Sequence, residues 1–330
     1  MTPVLVIGGA GYVGSHVCKA LANWRYTPIV FDDLSRGHAE FARWGVFEKG
    51  DILDTERLIQ VLRAYRPRAV LHFAGLAYVG ESFEHPANYY RLNVGGAASL
   101  VQAMAETGPD VIVFSSSCAT YGVAGDAPLA EDCPQHPISP YGASKLFAER
   151  VFRDAEYAHG IRTLSLRYFN AAGADQDLES GEWHEPEPHI LPRLIRAGLQ
   201  GSGEIIKVFG TDYATRDGTA IRDYVHVSDL AAAHVAALDY LLSGGRSASI
   251  NLGTQRGVSV QELITAVERV LNRKIAVSRT KRRTGDPAIA IADASLAREF
   301  LGWQPKFTEI ETIIESAIRW HRHAPHTLAW

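Results

Sequence analysis

The sequence contains little cysteine and has no marked excess of charge of either sign. Its three cysteines, Cys18, Cys118 and Cys133, lie far apart and form no C-x-x-C pair. An odd, scattered set of this kind argues against a disulfide framework or a zinc site, and it favours a reducing cytoplasm. The formal net charge is only -4 over 330 residues, which gives no sign of a nucleic-acid-binding or membrane-surface protein.

Long hydrophobic runs, internal repeats and low-complexity tracts are also absent. No apolar stretch approaches the ~20 residues that span a bilayer. Residues 1–7 lack a basic segment and run directly into a strand pattern, so we expect no signal peptide. The histidines His321, His323 and His326 near the C-terminus are interpreted as a solvated helix end, and we predict no metal ion.

A glycine motif follows the first predicted strand. Residues 4–7 form a short apolar run typical of a buried parallel strand, and a helical pattern follows the glycines. Glycines at this spacing permit a tight turn and close approach to a pyrophosphate, which the N–H groups at the start of the helix can bind. The predicted cofactor residues here are Gly8, Gly11, Tyr12, Val13 and Gly14.

Two acidic residues, Asp32 and Asp33, end the second predicted strand. Asp32 lies 18 residues after Gly14, close to the spacing at which an acid binds the adenosine ribose. A carboxylate there repels a 2′-phosphate and favours NAD over NADP, although Arg36 is near enough to accept such a phosphate. A solvated turn is the alternative interpretation of the two acids.

Strand and helix patterns continue to alternate along the first half of the chain. Further strands are predicted at 47–52, 69–73 and 111–114, with helices at 58–64 and 86–106. This alternation predicts an α/β fold with a Rossmann-like doubly wound parallel sheet, whose ligands lie at the carboxyl ends of the strands. We expect residues 1–169 to form the NAD-binding domain, with later returns of the chain to it. Residues 170–330 should form mainly a smaller C-terminal α/β lobe for the substrate.

A strand-end serine and a tyrosine–lysine pair suggest chemistry at that edge of the sheet. Tyr141 and Lys145 are at i and i+4 of a predicted helix that begins after Pro140, so they share one face. A phenol normally titrates near pH ~10, and a nearby ammonium lowers this pKa towards the range useful for general acid–base catalysis. With Ser117 beside a dinucleotide, the set suits removal of a proton from an alcohol coupled to loss of a hydride. A surface pair on an amphipathic helix is the alternative.

Five further segments carry a resemblance to a known family. They are residues 114–122 (FSSSCATYG), 166–174 (LRYFNAAGA), 209–213 (FGTDY), 221–227 (IRDYVHV) and 283–287 (RTGDP). Together they resemble the extended short-chain dehydrogenase/reductase family and, within it, the UDP-hexose 4-epimerases, over nearly the whole chain. The resemblance implies NAD as cofactor and interconversion of UDP-glucose and UDP-galactose through a 4-keto sugar. It also implies a homodimer built on helices near 86–106 and 141–157.

The resemblance also implies a set of site residues. The catalytic residues would be Ser117, Tyr141 and Lys145. Further cofactor contacts would come from Asp51, Ile52, Phe73, Ala74, Gly75, Asn93, Ser115, Tyr141, Lys145 and Tyr168. Substrate contacts would come from Ser117, Tyr141, Phe169, Asn170, His189, Ile190, Val208, Phe209, Arg222, Arg283, Asp286 and Ala290. The guanidinium groups of Arg222 and Arg283 suit a pyrophosphate. Arg222 could instead form a surface ion pair with Asp223.

Three positions depart from the family pattern or bear on the sugar. His189 replaces an Asn found in some members, and Ala77 stands where some members use a Lys near the NAD phosphates. The small Ala290 occupies the position that controls access for the sugar 2-substituent, which predicts that N-acetylhexosamines are also accepted.

Related activities remain as alternatives. A sugar-nucleotide 4,6-dehydratase would have an Asp-Glu pair after the catalytic serine, whereas Cys118 and Ala119 follow here and cannot transfer the protons. A UDP-pentose 4-epimerase is not excluded by these motifs. A non-catalytic NAD-binding regulator is disfavoured because it would not need the serine, tyrosine and lysine together.

Overall fold

The computed structural model describes residues 1–123, 125, 128–200 and 205–323. The expectation for His326 therefore falls outside the described residues. Within them, no helix is both long enough and apolar enough to cross a membrane.

Strands and helices alternate as the sequence predicts. The strands are β1 (Thr2–Ile7), β2 (Tyr26–Asp32), β3 (Val46–Lys49), β4 (Ala69–His72), β5 (Val111–Ser117), β6 (Arg162–Tyr168), β7 (Asn170–Ala172), β8 (Ile206–Phe209), β9 (Ile221–His226), β10 (Ala248–Leu252), β11 (Gly257–Ser259), β12 (Val277–Thr280) and β13 (Ile289–Ala290). The helices are α1 (Tyr12–Ala22), α2 (Thr55–Tyr65), α3 (Val79–Glu84), α4 (Pro86–Tyr89), α5 (Gly95–Thr107), α6 (Pro140–His159), α7 (Ile190–Gln200), α8 (Val227–Leu242), α9 (Val260–Leu271), α10 (Ser295–Leu301) and α11 (Ile310–His323).

The main sheet has seven parallel strands in the order β10-β6-β5-β4-β1-β2-β3. The order reverses beside β1, because β2 lies on one side of it and β4 on the other. In an open parallel sheet, ligands bind at such a switch point, beyond the carboxyl ends of the strands. Every residue of β5 is buried, as expected for a central strand covered by helices on both faces. The predicted doubly wound fold is confirmed.

A smaller α/β region follows β6. In it β9 pairs with β11, β13 and β7, while β8 pairs in parallel with β12. Its apolar core forms between these strands and α7, α9 and α11. The chain returns to the main sheet at β10, which pairs with β6. The boundary at residue 169 stays a prediction.

The long helix predicted over 86–106 is interrupted. α4 ends at Tyr89, a π-helical turn occupies Tyr90–Val94, and α5 begins at Gly95. The turn contains Asn93, whose buried side chain bonds to Leu76 and Ser144 rather than to its own helix. Widened turns of this type often occur at functional sites because they redirect one side chain.

Candidate active site

The glycine turn between β1 and α1 is shaped by close backbone packing. Gly8 has φ +78°, and a Cβ on it would lie 2.4 Å from the Ala74 nitrogen. A Cβ on Gly14 would lie 2.2 Å from the Gly8 carbonyl oxygen, so both positions require glycine for the turn itself. A Cβ on Gly11 would meet only the Gly8 oxygen, at 3.4 Å. Gly11 is therefore dispensable for packing but leaves its backbone open to a ligand.

Asp32 is held in place at the end of β2. Its carboxylate accepts hydrogen bonds from the backbone N–H groups of Ala10 at 3.0 Å and Leu34 at 2.9 Å. Burial raises the pKa of Asp32 above its usual value, while both hydrogen bonds oppose this shift. The guanidinium of Arg36 forms an ion pair with Glu81 at 2.6 Å and lies over the ring of Tyr78. The nearest candidate for binding a 2′-phosphate is thus already paired with a carboxylate.

A cavity of about 550 Å³ extends from the glycine turn across the carboxyl ends of the strands. It brings together most of the predicted site residues. From the cofactor set these are Gly8, Gly11, Tyr12, Val13, Gly14, Asp32, Asp33, Asp51, Ile52, Phe73, Ala74, Gly75 and Tyr168. From the catalytic and substrate sets they are Ser117, Tyr141, Phe169, Asn170, His189, Ile190, Phe209, Arg222, Arg283, Asp286 and Ala290. Four predicted site residues within the described chain are not part of the cavity lining: Asn93, Ser115, Lys145 and Val208.

Ser117 and Tyr141 line the cavity where β5 ends and α6 begins. Ser117 is the last residue of β5, and its hydroxyl accepts a hydrogen bond from the Ala119 N–H at 3.1 Å. Helix α6 starts with Ser139 as its cap, which accepts from the Gly142 N–H at 3.1 Å and sets Tyr141 in the first turn. Burial raises the pKa of the Tyr141 phenol above its usual value, and the nearby Ser117 hydroxyl acts in the opposite direction.

Lys145 lies behind the cavity wall. Its buried ammonium donates a hydrogen bond to the Ser115 carbonyl oxygen at 2.8 Å and lies over the Phe114 ring. Burial lowers the pKa of Lys145 to about 8, against the opposing charge of Glu149. The sequence led us to expect that Lys145 would lower the pKa of Tyr141, but burial of the phenol has the larger effect and the net shift is upward.

Asn93 and Ser115 support the wall from behind. Asn93 accepts from the Leu76 N–H at 2.9 Å and donates to the Ser144 hydroxyl at 2.8 Å. The Ser115 hydroxyl is 2.6 Å from the hydroxyl of Tyr168, which does line the cavity. These two residues therefore fix the positions of cavity-lining groups, and a direct contact with a cofactor stays a prediction.

The far end of the cavity carries the two predicted arginines. Arg222 forms an ion pair with Asp286, not with Asp223. Asp223 is fully buried, and its carboxylate accepts hydrogen bonds from four groups on Thr254, Gln255 and Ala292. The guanidinium of Arg283 lies 5.8 Å from the centre of the Phe209 ring.

Two more substrate candidates lie on neighbouring strands of this lobe. Val208 on β8 is 3% exposed and belongs to the core of the lobe, so its side chain is not available to a ligand. Ala290 on β13 lies in register with Arg222 and lines the cavity.

An acid–histidine cluster in the cavity wall was missed by the sequence interpretation, which treated residues 175–188 as a polar loop. The cluster consists of Glu182, His184, Glu187 and His189. His189 Nδ1 is 2.8 Å from oxygens of both glutamates. Burial disfavours its charged form, but the two carboxylates outweigh burial and raise the pKa of His189 to about 10. The available signal was the spacing E-x-H-x-x-E-x-H, with five ionisable residues in eight positions.

Comparison with known proteins places this geometry in a family. The model of the NAD dependent epimerase/dehydratase family matches residues 4–253. The chain therefore belongs to that family.

Particular relatives narrow the class. A UDP-glucose 4-epimerase from Rhizobium meliloti (strain 1021) is 51% identical, and the match covers 96% of each chain. The crystal structure of a UDP-glucose 4-epimerase from Brucella ovis in complex with NAD is 48% identical, with a TM-score of 0.93, over 97% of this chain and 98% of that one. The structure of a UDP-Glc/GlcNAc 4-epimerase from Campylobacter jejuni is 36% identical, with a TM-score of 0.84, over 98% and 99% of the two chains.

Proposed function

We propose that this chain is an NAD-dependent UDP-glucose 4-epimerase, an isomerase that interconverts UDP-glucose and UDP-galactose. The observation that carries the proposal is that Ser117 and Tyr141 line the same cavity as the glycine turn and Asp32. An alcohol to be oxidised and a dinucleotide can therefore meet in one site. The close relationship to named UDP-glucose 4-epimerases supports the same activity.

The residues around the glycine turn fit NAD. Gly11 leaves its backbone accessible at the start of α1, where free N–H groups favour the pyrophosphate. Asp32 is oriented by two backbone hydrogen bonds and retains acceptor capacity for the ribose hydroxyls. Its negative charge repels a 2′-phosphate, and Arg36 is held by Glu81. NAD is therefore preferred to NADP.

The proposed chemistry divides between the cofactor and the side chains. Bound NAD supplies reversible hydride acceptance, so that C4 of the sugar can be oxidised to a ketone and reduced again from its other face. Tyr141 removes the proton of the 4-hydroxyl and later returns it, while the Ser117 hydroxyl hydrogen-bonds the same oxygen. Lys145, one helical turn along α6, brings a positive charge behind this wall. Together with the nicotinamide charge of bound NAD, it would favour the phenolate against the upward shift that burial gives the pKa of Tyr141.

The far end of the cavity would hold the UDP moiety while the keto sugar turns over. Arg222 and Arg283 suit the pyrophosphate because a guanidinium binds phosphate oxygens through two parallel N–H groups. Phe209 lies beside Arg283 and offers a ring on which uracil can stack. We assign the hexose to a further part of the same cavity, which is lined by Phe169, Asn170, His189 and Ile190.

The size of the residue at position 290 bears on the range of sugars. Ala290 lines the cavity and presents only a methyl group. An N-acetyl group at C2 of the sugar then has room, and we include UDP-N-acetylglucosamine and UDP-N-acetylgalactosamine among the proposed substrates. A relative of similar fold, the Campylobacter jejuni enzyme, is described as a UDP-Glc/GlcNAc 4-epimerase.

We also propose a homodimer formed through α6 and the helices around the π-helical turn. Tyr90 and Phe147 are 37% and 50% exposed, and their rings lie 6.0 Å apart. Such an apolar patch on adjacent helices suits a self-complementary interface.

The cysteines Cys18, Cys118 and Cys133 are free thiols, and we propose a cytoplasmic location on that basis.

The activity is tested by NMR on the purified protein with UDP-galactose and no added NAD. Formation of UDP-glucose would support the proposal and would indicate that NAD is retained through purification. If excess NAD gives no conversion either, while UDP-xylose and UDP-arabinose are interconverted, the pentose alternative replaces it. Failure with all four sugar nucleotides would favour a non-catalytic role.

A further inference from the structure

The acid–histidine cluster (Glu182, His184, Glu187 and His189) forms a compact set of potential metal ligands. One ligand atom from each residue lies within 4.8 Å of the other three. His184 Nδ1 is 3.4 Å from a Glu182 oxygen and 3.6 Å from a Glu187 oxygen. His189 Nδ1 is 2.8 Å from each carboxylate. Glu182 Oε1 thus faces both histidines, whereas Glu187 faces His184 with Oε2 and His189 with Oε1.

The four His–Glu separations can be compared with those of a tetrahedral site. Zinc binds His nitrogen and carboxylate oxygen at about 2.0–2.2 Å, which places ligand atoms roughly 3.4 Å apart at the corners of a tetrahedron. The two separations at His184 already match this value. The two at His189 need to lengthen by about 0.6 Å, which small side-chain rotations can supply. Two imidazoles with two carboxylates also neutralise one divalent cation.

Burial of the two carboxylates makes a cation between them favourable, while the His189 side chain is 43% exposed. The Glu187 side chain is 1% exposed and that of Glu182 is 8% exposed. Glu187 Oε2 and His184 Nδ1 face each other, yet neither has a hydrogen-bond partner within the described residues. A buried carboxylate oxygen without a donor is costly unless a proton or a cation compensates for it.

The surrounding contacts hold the ligands in place before any ion binds. Trp183, between two ligands in the sequence, stacks on His38 with ring centres 3.6 Å apart and planes inclined at 4°. The Trp320 indole donates a hydrogen bond to the Glu182 carbonyl oxygen at 3.1 Å. The rings of Tyr12 and Tyr78 pack edge-on against His184. Such support reduces the reorganisation that metal binding requires.

We propose that Glu182, His184, Glu187 and His189 bind one divalent transition-metal ion, with zinc(II) the best match to the ligand set. Four protein ligands close the coordination sphere, so the ion has a structural role. It ties the segment before α7 to the cavity wall beside Tyr12, which follows the glycine turn. The proposal does not rest on the epimerase activity, although His189 also lines the cavity proposed for the hexose.

Direct metal binding tests the proposal. The full-length protein, without a histidine tag, is stripped with a chelator, dialysed and titrated with ZnCl₂ by calorimetry. We expect one zinc ion per chain, a rise in melting temperature on zinc addition, and with Co²⁺ the intense visible absorption of tetrahedral cobalt(II). Absence of stoichiometric binding would overturn the proposal and leave four ionised side chains that compensate one another.

Paired variants then test the ligand assignment. Glu187→Gln should weaken zinc binding at least about tenfold and remove the cobalt absorption, because it replaces a buried anionic ligand. Glu185→Gln makes the same chemical change at an exposed position two residues away and should bind zinc like the parent protein. Equal zinc affinity in both variants would overturn the assignment. If Glu187→Gln fails to fold, the zinc titration of the parent protein still tests the proposal by itself.

Discussion

Ser117 and Tyr141 line the same cavity, although 24 residues separate them in the sequence. They come together because β5 ends at Ser117 and α6 begins at Pro140, one residue before Tyr141. Both residues thereby lie at the carboxyl edge of the main sheet, where a ligand of an open parallel sheet binds. The proposed acid–base residue and the strand-end serine can therefore act on one substrate oxygen.

Replacing Tyr141 by Phe should lower kcat for UDP-galactose by about 10²–10⁴-fold, because the group that removes the 4-hydroxyl proton is lost. KM and the amount of bound NAD should change little, since the ring remains. Steady-state kinetics and quantification of released NAD check both statements. Tyr157→Phe, on the exposed side of the same helix, is the control and should retain full activity. A Tyr141→Phe variant with normal kcat would contradict the assignment.

Alanine substitutions at two glycines of the turn should have different effects, one on NAD binding and the other on stability. Gly11→Ala should fold with a melting temperature close to that of the parent protein, because its Cβ meets only one atom, at 3.4 Å. It should retain at least about tenfold less NAD, since the methyl group lies where the pyrophosphate must approach. Gly14→Ala should instead lose stability, because its Cβ would lie 2.2 Å from the Gly8 oxygen. Undiminished NAD in Gly11→Ala would argue against the proposed pyrophosphate position.

Enlarging residue 290 should narrow the range of sugars. Ala290→Tyr should reduce kcat/KM for UDP-N-acetylglucosamine at least about tenfold more than that for UDP-glucose, because the ring fills the space for the N-acetyl group. The two kcat/KM values are measured on the same variant protein. Differences in folding or NAD content therefore cancel in their ratio. An unchanged ratio would show that position 290 does not contact the sugar 2-substituent.

Acid should destabilise the fold through buried histidines. Burial lowers the pKa of His234 from 6.5 to about 4, against a hydrogen bond to the Leu230 carbonyl. The unfolded chain therefore binds more protons than the folded one below pH 6.5, and stability falls as the pH drops from there towards 4. Between pH 7 and pH 5 this residue alone should cost about 2 kcal/mol.

Urea unfolding at the two pH values checks this expectation. His234→Gln should show a smaller loss of unfolding free energy on acidification than the parent protein, whatever its stability at pH 7. His159→Gln, at the exposed end of α6, is the matched control and should behave like the parent. An identical pH dependence in the parent and in His234→Gln would contradict the account.

Local sequence signals predicted those parts of the site that short-range rules determine. The spacing of Gly8, Gly11 and Gly14 after an apolar run predicted the turn, and the alternation of strands and helices predicted the parallel sheet. Helical periodicity also predicted that Tyr141 and Lys145 share α6, because i and i+4 positions lie on one face. The family resemblance added the arginines and Phe209, which now line one cavity with these residues.

Features that depend on long-range packing were not predictable in the same way. The helical pattern over 86–106 gave no sign of the π-helical turn, in which Asn93 bonds to Leu76 and Ser144, residues distant in the sequence. The adjacent residues Arg222 and Asp223 suggested an ion pair, whereas their side chains have separate partners on other strands. The direction of the Tyr141 pKa shift depends on burial, which the spacing to Lys145 does not reveal.

The central claim is that the configuration at C4 is inverted by removing and returning the same hydrogen. UDP-galactose carrying deuterium at C4 of the sugar is incubated with the enzyme in ordinary water, and the product is examined by NMR. The account predicts UDP-glucose with deuterium fully retained at C4, because the hydrogen leaves and returns as hydride within the closed site. Replacement of deuterium by hydrogen from water would contradict it, since that outcome requires removal of C4–H as a proton.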